Sequence, residues 1–370
     1  MYAACSGDDS ASGSKDAGTD TGPDVGPPKD SGAVADSDAN DAGVVSKDAG
    51  PCVTDKIGGI YTHLSCTGLY ADIGLKTVAT TARPYEPALT FWSDGATKSR
   101  WLSLPAGQKI DTTDMDNWKF PVGTRAWKEF TVAGKRVETR LLEKVSASSW
   151  QKTTYVWDAS ESDAVRKDDG IFPVPGTDSY EVPKQNLCAA CHDGASDTLL
   201  GVEAVSLSLP AATGATLDAL KTGNLLSSPP AITHGQLAND ATTLAPPALG
   251  VMHASCGTSC HNNRPAAPAA FTGMFVRLHA SDVLTMTPTP VNMLDSYKTT
   301  VGVPMDHKLM DAGGAPPNRI TSGDTSTSGV IIMAGNRVLP VSVEQMPPIV
   351  SHKVDLGGQM RIQDWIAAGP

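Results

Sequence analysis

Cys188-Ala-Ala-Cys191-His192 sets two thiols two residues apart with an imidazole directly behind them. Thiols at that spacing can add across the two vinyl groups of a porphyrin as thioethers, and the adjacent His then sits under the ring. There its nitrogen binds iron, the attachment chemistry of a c-type haem. The same residues admit a second chemistry: a Cys-x-x-Cys disulfide, or half of a zinc site with an incidental His. Cys256-Gly-Thr-Ser-Cys260-His261 repeats the pattern with one more residue between the thiols. Joined, the four cysteines would make a four-thiol zinc site, but zinc has no need of a His after the second Cys of each pair. The repetition therefore favours two covalent haem c groups. Cys188, Cys191, Cys256 and Cys260 are the attachment thiols, and His192 and His261 the axial ligands.

An electron-transfer haem usually takes a second axial ligand, and Met raises its potential relative to His. Gln345-Met346-Pro347-Pro348 is the best candidate loop, because its prolines fix an extended segment that can present the Met346 thioether. For the first haem the sequence does not choose. His234, Met252 and His253 lie between the motifs, and Met274, His279, Met286, Met293, Met305, His307 and Met310 lie beyond them.

The elements that must position these groups fall into three stretches. Residues 1–50 begin with small residues before Cys5, as at the end of a bacterial lipoprotein signal, though without the charged and apolar regions of a complete one. Either Cys5 carries a lipid or it is an N-terminal thiol. Behind it runs a spacer rich in Asp, Ala, Gly and Ser, with too little apolar area to offset chain entropy. Residues 51–172 read as a β-rich domain. Thr124–Val132 and Lys135–Glu143 flank Ala133-Gly134, which suits a hairpin turn. Val137, Thr139 and Leu141 alternate with Glu138, Arg140 and Leu142, the period of a half-buried strand. Trp150–Trp157 is a further strand, and Phe91–Gly95 enters a turn that Arg100–Leu104 leaves. Every tryptophan but Trp365 lies in this stretch, reading as β-domain core rather than a small-ligand groove. The prolines and glycine of 171–176 suggest a hinge. In 173–370 short helical pieces take over, among them Leu217–Leu220 and Phe271–Leu278, with 311–329 a long loop. Ile362, Trp365 and Ile366 sit at i, i+3 and i+4 behind Asp355 as N-cap, and Gly369-Pro370 stops that helix. The expected class is α+β and multidomain: a mainly-β N-terminal domain, then a mainly-α, loop-rich cytochrome c-like domain with two haem sites.

The net charge of −11 resides largely in the spacer, where residues 6–50 hold ten Asp against three Lys. No basic field suits nucleic acid, and no apolar run approaches the roughly 18 residues of a membrane span. Cys52 and Cys66 bracket a short loop and fit a disulfide, which requires an oxidising compartment; free thiols are the alternative.

Several blocks resemble a group of bacterial periplasmic dihaem c-type cytochromes. Val182–His192 with Leu200-Gly201-Val202 is similar to their first haem segment, and Ala248–Asn262 to their second. Phe91–Gly95, Phe120–Thr124, Trp127–Phe130 and Val137–Leu141 are similar to their N-terminal β-domain, and Met346-Pro-Pro348 with Trp365-Ile366 to their closing segment. The likeness covers about 85–370 and lies in the order of blocks. It implies an electron-transfer protein of the periplasm or cell envelope, membrane-bound only through a lipid anchor, with redox partner proteins. It also implies a His at the position of His253, as a ligand of the first haem. The chain departs from the group at Cys256–Cys260, where a two-residue spacer is usual, which puts the second attachment in question. A dihaem peroxidase, a dehydrogenase's cytochrome subunit, and a non-haem module with zinc or disulfides at the Cys pairs are the other readings.

Overall fold

The computed structural model describes residues 52–195, 197, 199–305, 317–337 and 345–370. Cys5, the spacer, His307 and Met310 lie outside the described residues.

Two small hairpins come first: β1 (Lys56–Ile57) with β2 (Ile60–Tyr61), and β3 (Tyr70–Asp72) with β4 (Thr77–Val78). A seven-stranded antiparallel sheet follows, built from β5 (Arg83–Glu86), β6 (Thr97–Ser103), β7 (Arg125–Val132), β8 (Lys135–Ser146), β9 (Ser149–Trp157), β10 (Ala164–Arg166) and β11 (Thr213–Gly214). Its order is β10-β9-β8-β7-β6-β5-β11, so all but the last strand follow a meander. Val132 pairs with Lys135 across a two-residue loop, and both loop residues, Ala133 and Gly134, have positive φ. That is the backbone a tight hairpin with the native twist needs.

Strand β8 is covered on both faces, not on one. Trp127, Leu141, Tyr155 and Trp157 pack with Leu64, Leu69 and Tyr70 on one side. Leu102, Ala126, Leu142 and Trp150 pack with Leu207, Leu217 and Leu220 on the other. The alternation also breaks at Val137, which the β7–β8 register passes over: Phe130 faces Glu138, and Thr131 faces Arg136. A bulge of this kind turns a side chain to the other face, and Val137 packs with Phe130 and Tyr180, away from Leu141. Glu138 is fully buried because Arg140 and Tyr180 both hydrogen-bond its carboxylate.

Among the described residues eight short helices follow β10: α1 (Cys188–His192), α2 (Ala204–Ser208), α3 (Leu217–Thr222), α4 (Ala245–Met252), α5 (Ala280–Val283), α6 (Asp295–Lys298), α7 (Gly329–Gly335) and α8 (Leu356–Ala367). They correct the expectation of a mainly-α, cytochrome c-like second half: the core is mainly β. The described helices run from four to twelve residues, and this segment also supplies β11 to the sheet edge. The physical reason is interruption. Phe271–Leu278, expected to be helical, is one 3-10 turn at Ala270–Thr272, ended by Gly273 in the left-handed region, and then extended chain that buries Val276 and Leu278. Only α8 reaches three turns. Asp355 caps it by accepting from the Gly358 N–H at 2.9 Å, and Ile362, Trp365 and Ile366 pack into one core with Ala245, Ala248, Leu249 and Met252 of α4.

Candidate functional site

Helix α1 carries the first motif and is held at both ends by one residue of the sheet. Gln185 Nε2, just ahead of it, donates to the Lys152 carbonyl at 2.7 Å, and Lys152 Nζ donates to Asp193, just behind it, at 2.8 Å. Farther on, Asp197 is buried and accepts from Lys144 Nζ at 2.7 Å, from the Phe120 N–H at 2.6 Å and from the Trp150 indole. The segment carrying Cys188, Cys191 and His192 is thus fixed over β8 and β9.

The second motif continues from α4 through a π turn, His253–Gly257. Thr258 N–H donates to the His253 carbonyl at 2.9 Å, and His261 N–H to the Cys256 carbonyl at 2.8 Å. Both bonds span five residues. The Cys256 carbonyl also accepts from the Cys260 N–H at 3.3 Å, the four-residue span of an α-helical turn, so the chain is wound both ways across the spacer. Gly257 is required here: a Cβ would stand 2.6 Å from the Arg277 backbone nitrogen.

The two motifs touch. Ser259 Oγ donates to the Cys191 carbonyl, and Gly194 packs so closely on the Ser259 carbonyl that no side chain fits there. Cys191 and Cys260 are near enough for the charge of one thiolate to oppose the other. All four cysteines are nevertheless free thiols. Burial pushes Cys188 and Cys191 up from the ordinary thiol range, and Cys256 up to about 12. Zinc binds thiolates, and among the described residues no three His, Cys, Asp or Glu side chains converge for a metal ion.

His261 carries an orphan. Its Nδ1 is buried with no hydrogen-bond partner among the described residues, and burial, then the Arg319 charge, holds the imidazole down at about 4. The ring is neutral at neutral pH, the form that binds a metal. His192 closes α1, half-buried.

His253, expected as a ligand of the first haem, lies in the core. It is fully buried, accepts from the Leu278 N–H at Nδ1 (2.9 Å), and has Nε2 3.4 Å from Glu203. Both nitrogens are engaged, so the ring acts as a core brace. Met252 is sealed in the α4–α8 core, His279 Nδ1 lies 3.1 Å from Asp116, and Met286 and Met293 are exposed.

Met346 N–H donates to the Met333 carbonyl at 2.9 Å. The loop behind it is gripped by the Phe91–Gly95 turn. Asp94, turned by a positive φ, accepts from the His352 and Lys353 N–H groups at 2.7 and 3.2 Å, and Trp92 Nε1 donates to the Lys353 carbonyl at 2.8 Å. These supports were not legible as functional. Lys152, Ser259 and Asp94 act across long sequence separations, and only the Trp-Ser-Asp-Gly turn signal hinted at one of them.

The chain matches no described protein family, no curated protein and no solved structure. The site therefore rests on its own geometry. Away from it, Cys52 and Cys66 are joined in a disulfide across a separation of 14 residues.

Proposed function

We propose that the chain is a c-type cytochrome that holds two covalent haems, at Cys188/Cys191/His192 and Cys256/Cys260/His261, and passes electrons between redox partners. One observation carries this reading: two Cys–Cys–His motifs of free thiols lie in contact. When bound, the iron supplies one-electron exchange. The residues do the rest. The thiols would fix each porphyrin, His192 and His261 would present imidazoles to the metal, and Met346 would offer a thioether from a loop that Asp94 and Trp92 hold in place. Contact between the attachment loops keeps the two sites adjacent, which suits transfer from one to the other. The disulfide supports an exported, oxidising location, in the periplasm or cell envelope.

The test is haem stoichiometry. Protein made with a c-haem maturation system and denatured in alkaline pyridine is expected to show two covalent haems per chain. One haem, retained in Cys256→Ala/Cys260→Ala but lost in Cys188→Ala/Cys191→Ala, would limit the reading to the first motif.

A further inference from the structure

One face of the sheet carries a row of cations that the haem ligands do not use. Arg100, Lys128 and Arg140 stand directly opposite one another on β6, β7 and β8. Lys98 lies on the same face, two residues before Arg100. Two of the four are balanced: Glu86 pairs with Arg100, and Glu138 holds Arg140 through two bonds of 2.6 and 2.8 Å. Two are not. Lys98 Nζ donates only to the Phe91 carbonyl and to Ser93 Oγ (3.1 Å), and Lys128 Nζ lies 5.4 Å from the centre of the Phe91 ring. Among the described residues neither ammonium has a carboxylate within ion-pair distance.

Their setting makes that costly. Lys128 is half-buried in the middle of the row, between Arg100 and Arg140. Burial, followed by the charges of Arg100 and its neighbours, holds Lys98 down at about 7 and Lys128 well below its ordinary range. An enclosed cation among like charges is expensive unless an anion meets it. The row also has a definite place. On β9 it continues to Thr154, two residues beyond the Lys152 that holds α1 at both ends. Arg140 is close enough for its charge to act on both Cys188 and Cys191. At its other side stands the Phe91–Gly95 turn, which grips the loop after Met346.

We propose that Lys98 and Lys128 form an anion site for a paired carboxylate, the two propionates of the haem attached at Cys188 and Cys191. Two lysines without a carboxylate partner match two carboxylates, which would hold both in the charged form, and Lys128 is near enough for its charge to act on Cys191 of the attachment helix. This rests on the haem reading, but the anion site itself stands on the row.

The test uses the full chain with Lys128→Met, which removes the charge and keeps the stem, and Lys128→Arg, which keeps the charge. Lys109→Met, an exposed lysine bound to Asn224, serves as a remote control. In the haem-loaded protein, Lys128→Met is expected to shift the ferric-to-ferrous ratio at fixed potential about fivefold or more toward ferric. Lys128→Arg and Lys109→Met should stay within about twofold of wild type. In the haem-free chain the same Lys128→Met should raise Tm, since it removes an enclosed polar head group that has no carboxylate partner, and that gain should shrink or reverse on haem loading. Equal ratios for wild type and Lys128→Met overturn the propionate assignment. If no haem loads, the haem reading fails by itself and the site is tested by calorimetric titration of the haem-free chain with inorganic phosphate. Binding that Lys128→Met abolishes then assigns the row to a free anion, whereas no binding overturns the site.

Discussion

At the scale of single residues, the chemistry is written locally and its support is not. Covalent attachment demands two thiols and a His within five or six positions, so Cys188–His192 and Cys256–His261 can be read from spacing. Asp94, by contrast, meets His352 across more than half the chain, and nothing in a Trp-Ser-Asp-Gly turn says which backbone it will hold. Lys144 and Asp197 show what such a support contributes. Their side chains are nearly sealed, at 4% and 8% exposure, and removing one partner of a buried pair leaves the other charge unpaired. Asp197→Ala is therefore expected to lower unfolding free energy by about 3–5 kcal/mol, measured by chemical denaturation. Lys144→Met/Asp197→Leu together should recover only the share due to the unpaired ammonium, because the Phe120 N–H and Trp150 indole lose their acceptor. Met346→Ala should abolish the near-infrared Met-to-iron band and lower the potential of one haem; an unchanged band would remove Met346 as a ligand.

At the scale of elements, the hairpin at Ala133-Gly134 was legible because a two-residue loop fixes its own register. Ala133 nevertheless sits in the left-handed region, where its Cβ is strained. Ala133→Gly is expected to stabilise the protein by about 1 kcal/mol, read as a higher denaturation midpoint. The half-burial expected of β8 did not emerge, because polar residues at alternate positions carry no sign of whether a partner waits for them. Glu138 and Thr139 are both buried, each hydrogen-bonded to a distant side chain. The π turn at His253–Gly257 was equally hidden, since no residue there signals a widened helix. Gly257→Ala would press a methyl against Arg277 and should cost about 1–3 kcal/mol. Fewer than two haems per chain should follow, with the loss confined to the second motif.

At the scale of the whole molecule, the mainly-α second half was a misreading with a clear origin. A c-haem motif needs only the single short helix that carries it, and a chain with 27 prolines and 35 glycines interrupts longer ones. Two contacts act on overall stability. The Cys52–Cys66 bridge ties down the segment that covers the Trp127–Tyr155 face. For a loop of this length, Cys52→Ser/Cys66→Ser should cost about 3 kcal/mol. Glu203 sets part of the acid limb. Burial pushes its carboxyl up, but hydrogen bonds from His253 and Ser206 and the Arg277 charge outweigh this and leave it lowered from 4.5 to about 2. Its folded pKa lies below the unfolded one, so its contribution is full above about pH 4.5 and is lost as pH falls toward 2. Glu203→Gln should flatten the stability profile across that window. All of these effects bear on the scaffold; the proposed cytochrome function rests on the cysteines, and the haem count tests it most directly. Pyridine haemochrome analysis of the full chain, made with a c-haem maturation system, should give two covalent haems per polypeptide; a chain that folds but carries none contradicts the cytochrome assignment.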